Sequence, residues 1–92
     1  MIKVRFFTLL KLFLGISEID LDQDQISVKD LLFLINEKVE KDFLHKLIDE
    51  SGELLRGTII LVNGKNVLHL EKLNTIVKTG DEVNMFPPGG GG

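Results

Sequence analysis

Apolar and polar residues alternate from the start of the chain. Ile2, Val4 and Phe6 fall on one side, and Lys3, Arg5 and Phe7 on the other. A period of two belongs to a strand with one buried face. The pattern predicts a strand over residues 2–9, with Phe7 and Leu9 as apolar residues on the polar side. "KLFLG" (11–15) reads as a turn or helical stub ending at Gly15. "SEIDLDQD" (17–24) reads as a second strand, with Ile19 and Leu21 inward and the acids outward. The short connection predicts an antiparallel hairpin.

The period then changes. Val28, Leu31, Leu32, Ile35 and Val39 recur at helical spacing, and Ser27 is placed to cap with Asp30 three residues on. Phe43, Leu44, Leu47 and Ile48 form another stripe, read as a second short helix ending at Gly52. "TIILV" (58–62) is β-branched and apolar, the pattern of a buried strand, and Asn63-Gly64 is a tight-turn signal. "NVLHL" (66–70) reads as a short strand. After a turn at Gly80 comes a last strand, with Val83 and Met85 inward and Asn84 and Phe86 outward. Pro87 cannot donate to a ladder and ends it. The order β-β-α-(α)-β-β-β predicts an α+β architecture: about five strands with helices on one face.

Composition narrows what such a domain could do. Its 92 residues suffice for one core, placed at 1–86, followed by a flexible glycine tail at 87–92. The net charge is −3, and no Lys or Arg is adjacent to another. That argues against nucleic acid and against an anionic membrane as partners. There is no Cys, so disulfides, thiolate metal sites and a cysteine nucleophile are excluded. No apolar run reaches the roughly 18 residues of a spanning helix, and a cytoplasmic location is expected. His45 and His69 lack partner spacing, and Asp20, Asp22 and Asp24 lack the glycine and distal glutamate of a calcium loop. No metal or cofactor is expected on this chain, and no self-contained active site is legible.

Two features remain. Phe7 and Phe86 both point away from the helices. If the first and last strands are neighbours, both rings share one open sheet face, and exposed apolar clusters mark partner surfaces. The second feature is the ending "FPPGGGG". Pro87 and Pro88 stiffen the exit, and an extended chain from Pro87 to Gly92 reaches roughly 20 Å. Gly89, Gly90, Gly91 and Gly92 carry no Cβ and can thread a narrow channel. They would deliver a bare α-carboxylate at Gly92. A carboxylate becomes an acyl donor once it attacks an ATP phosphate and gains AMP as leaving group, which a sulfur donor or another nucleophile then displaces. The ATP and magnesium sites for that step must lie in a partner enzyme.

"MIKVRFF", "VNG", "GDEVNMFPP" and the terminal "GG" together resemble the MoaD family, the small subunits of molybdopterin synthase and relatives of ThiS and ubiquitin. Residues 40–57 match that pattern less well. The resemblance implies a ubiquitin-like β-grasp fold with a mixed sheet. It implies adenylation of Gly92 by a MoeB- or ThiF-like enzyme, conversion to a thiocarboxylate, and entry of the tail into a MoaE-like large subunit. There sulfur passes to a pterin precursor in molybdenum cofactor biosynthesis. On this view the chain is a carrier subunit rather than an enzyme, with Gly91 and Gly92 as the acyl end. Phe86, Pro87 and Pro88 position the tail, and Phe7 is added here to the partner patch. Gly89 and Gly90 stand where the family has non-glycine residues. Longer relatives of this kind include archaeal modifiers joined to lysines or serving tRNA thiolation. That leaves the acceptor open, with a non-covalent β-grasp interaction module as a third reading.

Overall fold

A computed structural model describes residues 1–89. The main sheet has the order β2-β1-β7-β4-β5. Its strands are β1 (Ile2–Phe6), β2 (Glu18–Leu21), β4 (Ile59–Val62), β5 (Lys65–Asn66) and β7 (Glu82–Phe86). A separate two-stranded ladder joins β3 (Gln25–Ser27) to β6 (Ile76–Lys78). The helices are α1 (Thr8–Leu14) and α2 (Val28–Val39). β1 runs parallel to β7, and the other pairings are antiparallel. The sheet is therefore mixed, and the chain has the expected β-grasp architecture.

The alternation at the start places Ile2, Val4 and Phe6 in the core, where Val83 and Met85 of β7 and Ile60 and Val62 of β4 join them. α2 covers this face with Val28, Leu31, Leu32 and Ile35, and α1 adds Leu10 and Leu14. Ser27 caps α2 as expected: its Oγ accepts from the Asp30 N–H at 3.1 Å. The helix ends at Glu40, in the left-handed region at φ 56°.

Four expectations are corrected. The first strand stops at Phe6 rather than residue 9, because Leu10 and Leu14 are spaced for a helix and reach the core only as one. The hairpin connection is thus longer than a tight link: a seven-residue helix that ends at Gly15, in keeping with the helical-stub reading of "KLFLG". The second helix is one 3-10 turn, Leu44–Lys46. Phe43 and Leu47 are buried, but Asp49 takes the following N–H groups out of helical register: its Oδ1 accepts from Ser51 N at 2.9 Å and Glu53 N at 3.1 Å. The strand read over 66–70 is only Lys65–Asn66, since Asn66 Oδ1 accepts from Leu68 N at 3.0 Å and caps a 3-10 turn, Val67–His69. The β3–β6 ladder was not anticipated from the sequence, its strands being three residues each.

Two side-chain networks hold the ends that matter for the tail. Asp81 Oδ2 accepts from Lys78 N at 2.8 Å, and its Oδ1 accepts from Asn63 Nδ2 at 2.9 Å. Asn63 Oδ1 in turn accepts from Glu82 N at 2.9 Å. This ties the β4–β5 turn to the turn before β7. The buried Thr58 donates its hydroxyl to Leu47 O at 3.2 Å, which fixes the start of β4.

Candidate functional site

β7 is the central strand, with β1 on one side and β4 on the other, so the exit toward the tail leaves from the middle of the sheet. Pro87 is buried and Pro88 half-buried, so the root of the tail packs on the domain. Its support is Gly57, at φ +92°, where a Cβ would stand 3.6 Å from both Cα and Cβ of Pro88. The φ there is one that glycine alone adopts without strain, and the 3.6 Å spacing is ordinary van der Waals contact. Gly89 is exposed, with open space around it. Gly90, Gly91 and Gly92, the threading and carrier positions read from the sequence, lie outside the described residues.

Phe7 and Phe86 do share the open face. Their rings are stacked, 4.6 Å between centroids and 12° between planes. Phe7 stands just beyond β1, still extended, and donates its N–H to Met85 O at 3.1 Å. The chain then turns sharply at Thr8, φ 52°. A β-branched residue in the left-handed region is strained by about 1–2 kcal/mol. That strained turn sends α1 back over the core and leaves the Phe7 ring on the outside.

The ladder extends the patch. Ile59 pairs with Phe86, and Leu61 pairs with Asn84. Ile59 is 40% exposed and Leu61 half-buried. Neither was expected on this face: in the all-apolar run "TIILV" the inward and outward positions look alike. Asn84 sits between Leu61 and Arg5, and its Oδ1 is buried with no hydrogen-bond partner among the described residues. The β2 side of the face is charged. Arg5 Nη1 meets Glu82 Oε1 at 3.0 Å, Arg5 Nε meets Glu18 Oε1 at 3.7 Å, and Lys3 Nζ meets Glu18 Oε2 at 3.6 Å. These pairs are half-exposed and add little stability; they border the apolar half.

Chemically, this is an open face beside the packed root of the tail, apolar around Phe7, Phe86, Ile59 and Leu61 and charged toward β2. Arg5, its guanidinium, is already paired to two carboxylates. Among the described residues no group of three or more His, Asp or Glu could hold a metal ion, and no helix is long and apolar enough to cross a membrane.

Residues 4–92 match the family model described as "ThiS family". The chain belongs to the ThiS family. As a ThiS-family chain it is 37% identical over 75 residues to the "Putative sulfur carrier protein" of Archaeoglobus fulgidus, covering 82% of this chain and 84% of that protein. It is 36% identical over 69 residues to small archaeal modifier protein 3 of Haloferax volcanii, covering 75% and 73%. The solution structure of small archaeal modifier protein 1 from Methanosarcina acetivorans superposes with a TM-score of 0.77 at 33% identity, covering 99% of this chain and 95% of that one. The ThiS-family chain is therefore a ubiquitin-like β-grasp protein of the sulfur-carrier and modifier kind. Small proteins of this kind are generally not catalysts themselves, and sulfur carriers of the family work with partner enzymes.

Proposed function

We propose that this chain carries sulfur on its terminal glycine and gives it up to a partner-held acceptor in molybdenum cofactor biosynthesis. The Gly92 carboxylate attacks the α-phosphorus of ATP in a MoeB- or ThiF-like partner, and pyrophosphate leaves. A sulfide equivalent then adds to the acyl-adenylate, AMP departs, and the carboxylate becomes a thiocarboxylate. The tail next enters a MoaE-like large subunit, where the thiocarboxylate sulfur bonds to a pterin precursor, and water then cleaves the acyl carbon–sulfur bond and restores the Gly92 carboxylate. ATP and magnesium belong to the activating partner. What carries the reading is the family match through residue 92. The geometry supports it: a central strand leading into buried Pro87, and stacked Phe7 and Phe86 beside that exit.

The test is intact mass of the full chain after incubation with ATP, an adenylating enzyme and a sulfur source. Exchange of one oxygen for sulfur at the C-terminus is the expected result. An unchanged mass with an enzyme active on its own carrier overturns the reading. One residue added after Gly92 should abolish the exchange while leaving the fold intact. Phe86→Ala should weaken the large-subunit complex by about 1–2 kcal/mol.

The modifier relatives favour a second reading, in which the activated Gly92 acylates lysines of other proteins. Branched peptides bearing Gly92 on a lysine would identify it. Cellular function that survives deletion of Gly91 and Gly92 would instead indicate a non-covalent module.

A further inference from the structure

Residues 40–57, which the MoaD pattern covers least, build a second surface on the helix side of the sheet. An open groove there has a floor of Phe33, Leu44, Ile48 and Leu55. Phe33, on the solvent side of α2, is 46% exposed. Apart from Phe33, every residue lining the groove lies between 42 and 55. Its rim carries Asp42, Asp49 and Glu50, and no Lys or Arg lines it. The segment's own lysines are drawn elsewhere. Lys46 Nζ lies 4.5 Å from the centroid of the Phe13 ring. Lys41 Nζ lies 5.7 Å from that ring and donates to Phe13 O at 3.0 Å. Among the described residues, the one cationisable group within ion-pair distance of the rim acids is His45, whose Nδ1 is 4.0 Å from Asp42 Oδ1.

An apolar floor under an unneutralised acidic rim calls for an occupant with an apolar stripe and basic flanks. Strand addition is not open to it. The backbone here is bonded within the segment, with Lys46 N on Phe43 O, and Leu47 N and Ile48 N on Leu44 O, each at 2.9 Å. We propose that this groove docks a basic amphipathic helix of another protein. The groove lies on the helix layer, and Phe7 and Phe86 lie on the open sheet face. One protein could therefore hold the domain by the groove while the tail engages another. The proposal is independent of the carrier reading.

The probes are two 14-residue peptides with the same helical leucine stripe, one flanked by lysines and one by glutamates. Each is titrated into the full ¹⁵N-labelled chain and followed by amide shifts. The lysine peptide should give saturable shifts confined to Phe33, residues 42–50 and Leu55, and the glutamate peptide none at the same concentration. The exposed double variant Asp42→Asn/Glu50→Gln should keep its far-UV circular dichroism and lose affinity on the order of tenfold. Phe33→Ala should also weaken binding. Four outcomes overturn the proposal: no saturable shift; equal binding of both peptides; shifts centred on Phe7 and Phe86; or groove shifts that grow with protein concentration alone, which assign it to a second copy.

Discussion

Phe7 and Phe86 are 79 residues apart in the sequence, so a measured coupling between them would test the open face directly. Truncating a fully buried Phe to Ala costs about 3–5 kcal/mol. Both rings are half-buried, so about 2 kcal/mol is expected for each single variant. Their stacking at 4.6 Å and 12° adds a pair term of about 0.5–1.5 kcal/mol beyond area. That term is lost in either single variant and cannot be lost twice. Phe7→Ala/Phe86→Ala should therefore cost about 3 kcal/mol rather than about 4 kcal/mol. The chain has no Trp or Tyr, so urea unfolding is best followed by far-UV circular dichroism. At about 4–8 °C per kcal/mol for a domain this size, a melting series resolves the same difference. Additivity to within about 0.3 kcal/mol would refute the stacked pair and the shared face built on it.

Other consequences follow from the same geometry. Thr8→Gly should stabilise the fold by up to about 1 kcal/mol, since relief of left-handed strain outweighs the added freedom of the unfolded chain; a lower urea midpoint would remove the strain argument. Asn84→Leu removes a buried unpaired acceptor and should raise stability by about 1 kcal/mol; a lower urea midpoint for the variant would show that the acceptor is not orphaned in solution. The Lys78 N–H, then Asn63, hold the Asp81 carboxyl below its ordinary value. A depressed folded pKa gives stability that is present above the unfolded value and lost as pH falls through the folded one. Asp81→Asn should therefore lower the melting temperature more at neutral pH than at a pH acid enough to protonate the folded carboxyl, and an equal loss at both would contradict the linkage. Gly57→Ala should cost about 1–2 kcal/mol, because φ +92° is a conformation L residues rarely adopt; wild-type stability would mean that the backbone at residue 57 is not held at that positive φ.

The sequence alone determined the parts that rest on local periodicity and local chemistry. Alternation over residues 2–6 gave the face of β1, helical spacing and the Ser27 cap gave α2, and the order of elements gave the class. The motifs that resemble the MoaD family suggested the sulfur-carrier class, which the family match supports. Tertiary structure decided what depends on competition between distant groups. Residues 8–14 became a helix because Leu10 and Leu14 find the core that way, although strand alternation could be read into Phe7 and Leu9. Asp49 and Asn66 diverted two segments from the elements predicted, through side-chain bonds to nearby N–H groups that carry no periodic signal. In "TIILV" every residue is apolar, so only the β4–β7 register shows that Ile59 and Leu61 face outward. The orphaned acceptor of Asn84 and the contact of Gly57 with Pro88 arise where chain segments far apart in sequence meet, and the acid-rimmed groove forms where residues 42–55 fold back beside Phe33 of α2. Burial and unpaired hydrogen-bonding groups exist only once those segments are packed together, and no reading along one strand at a time could show them.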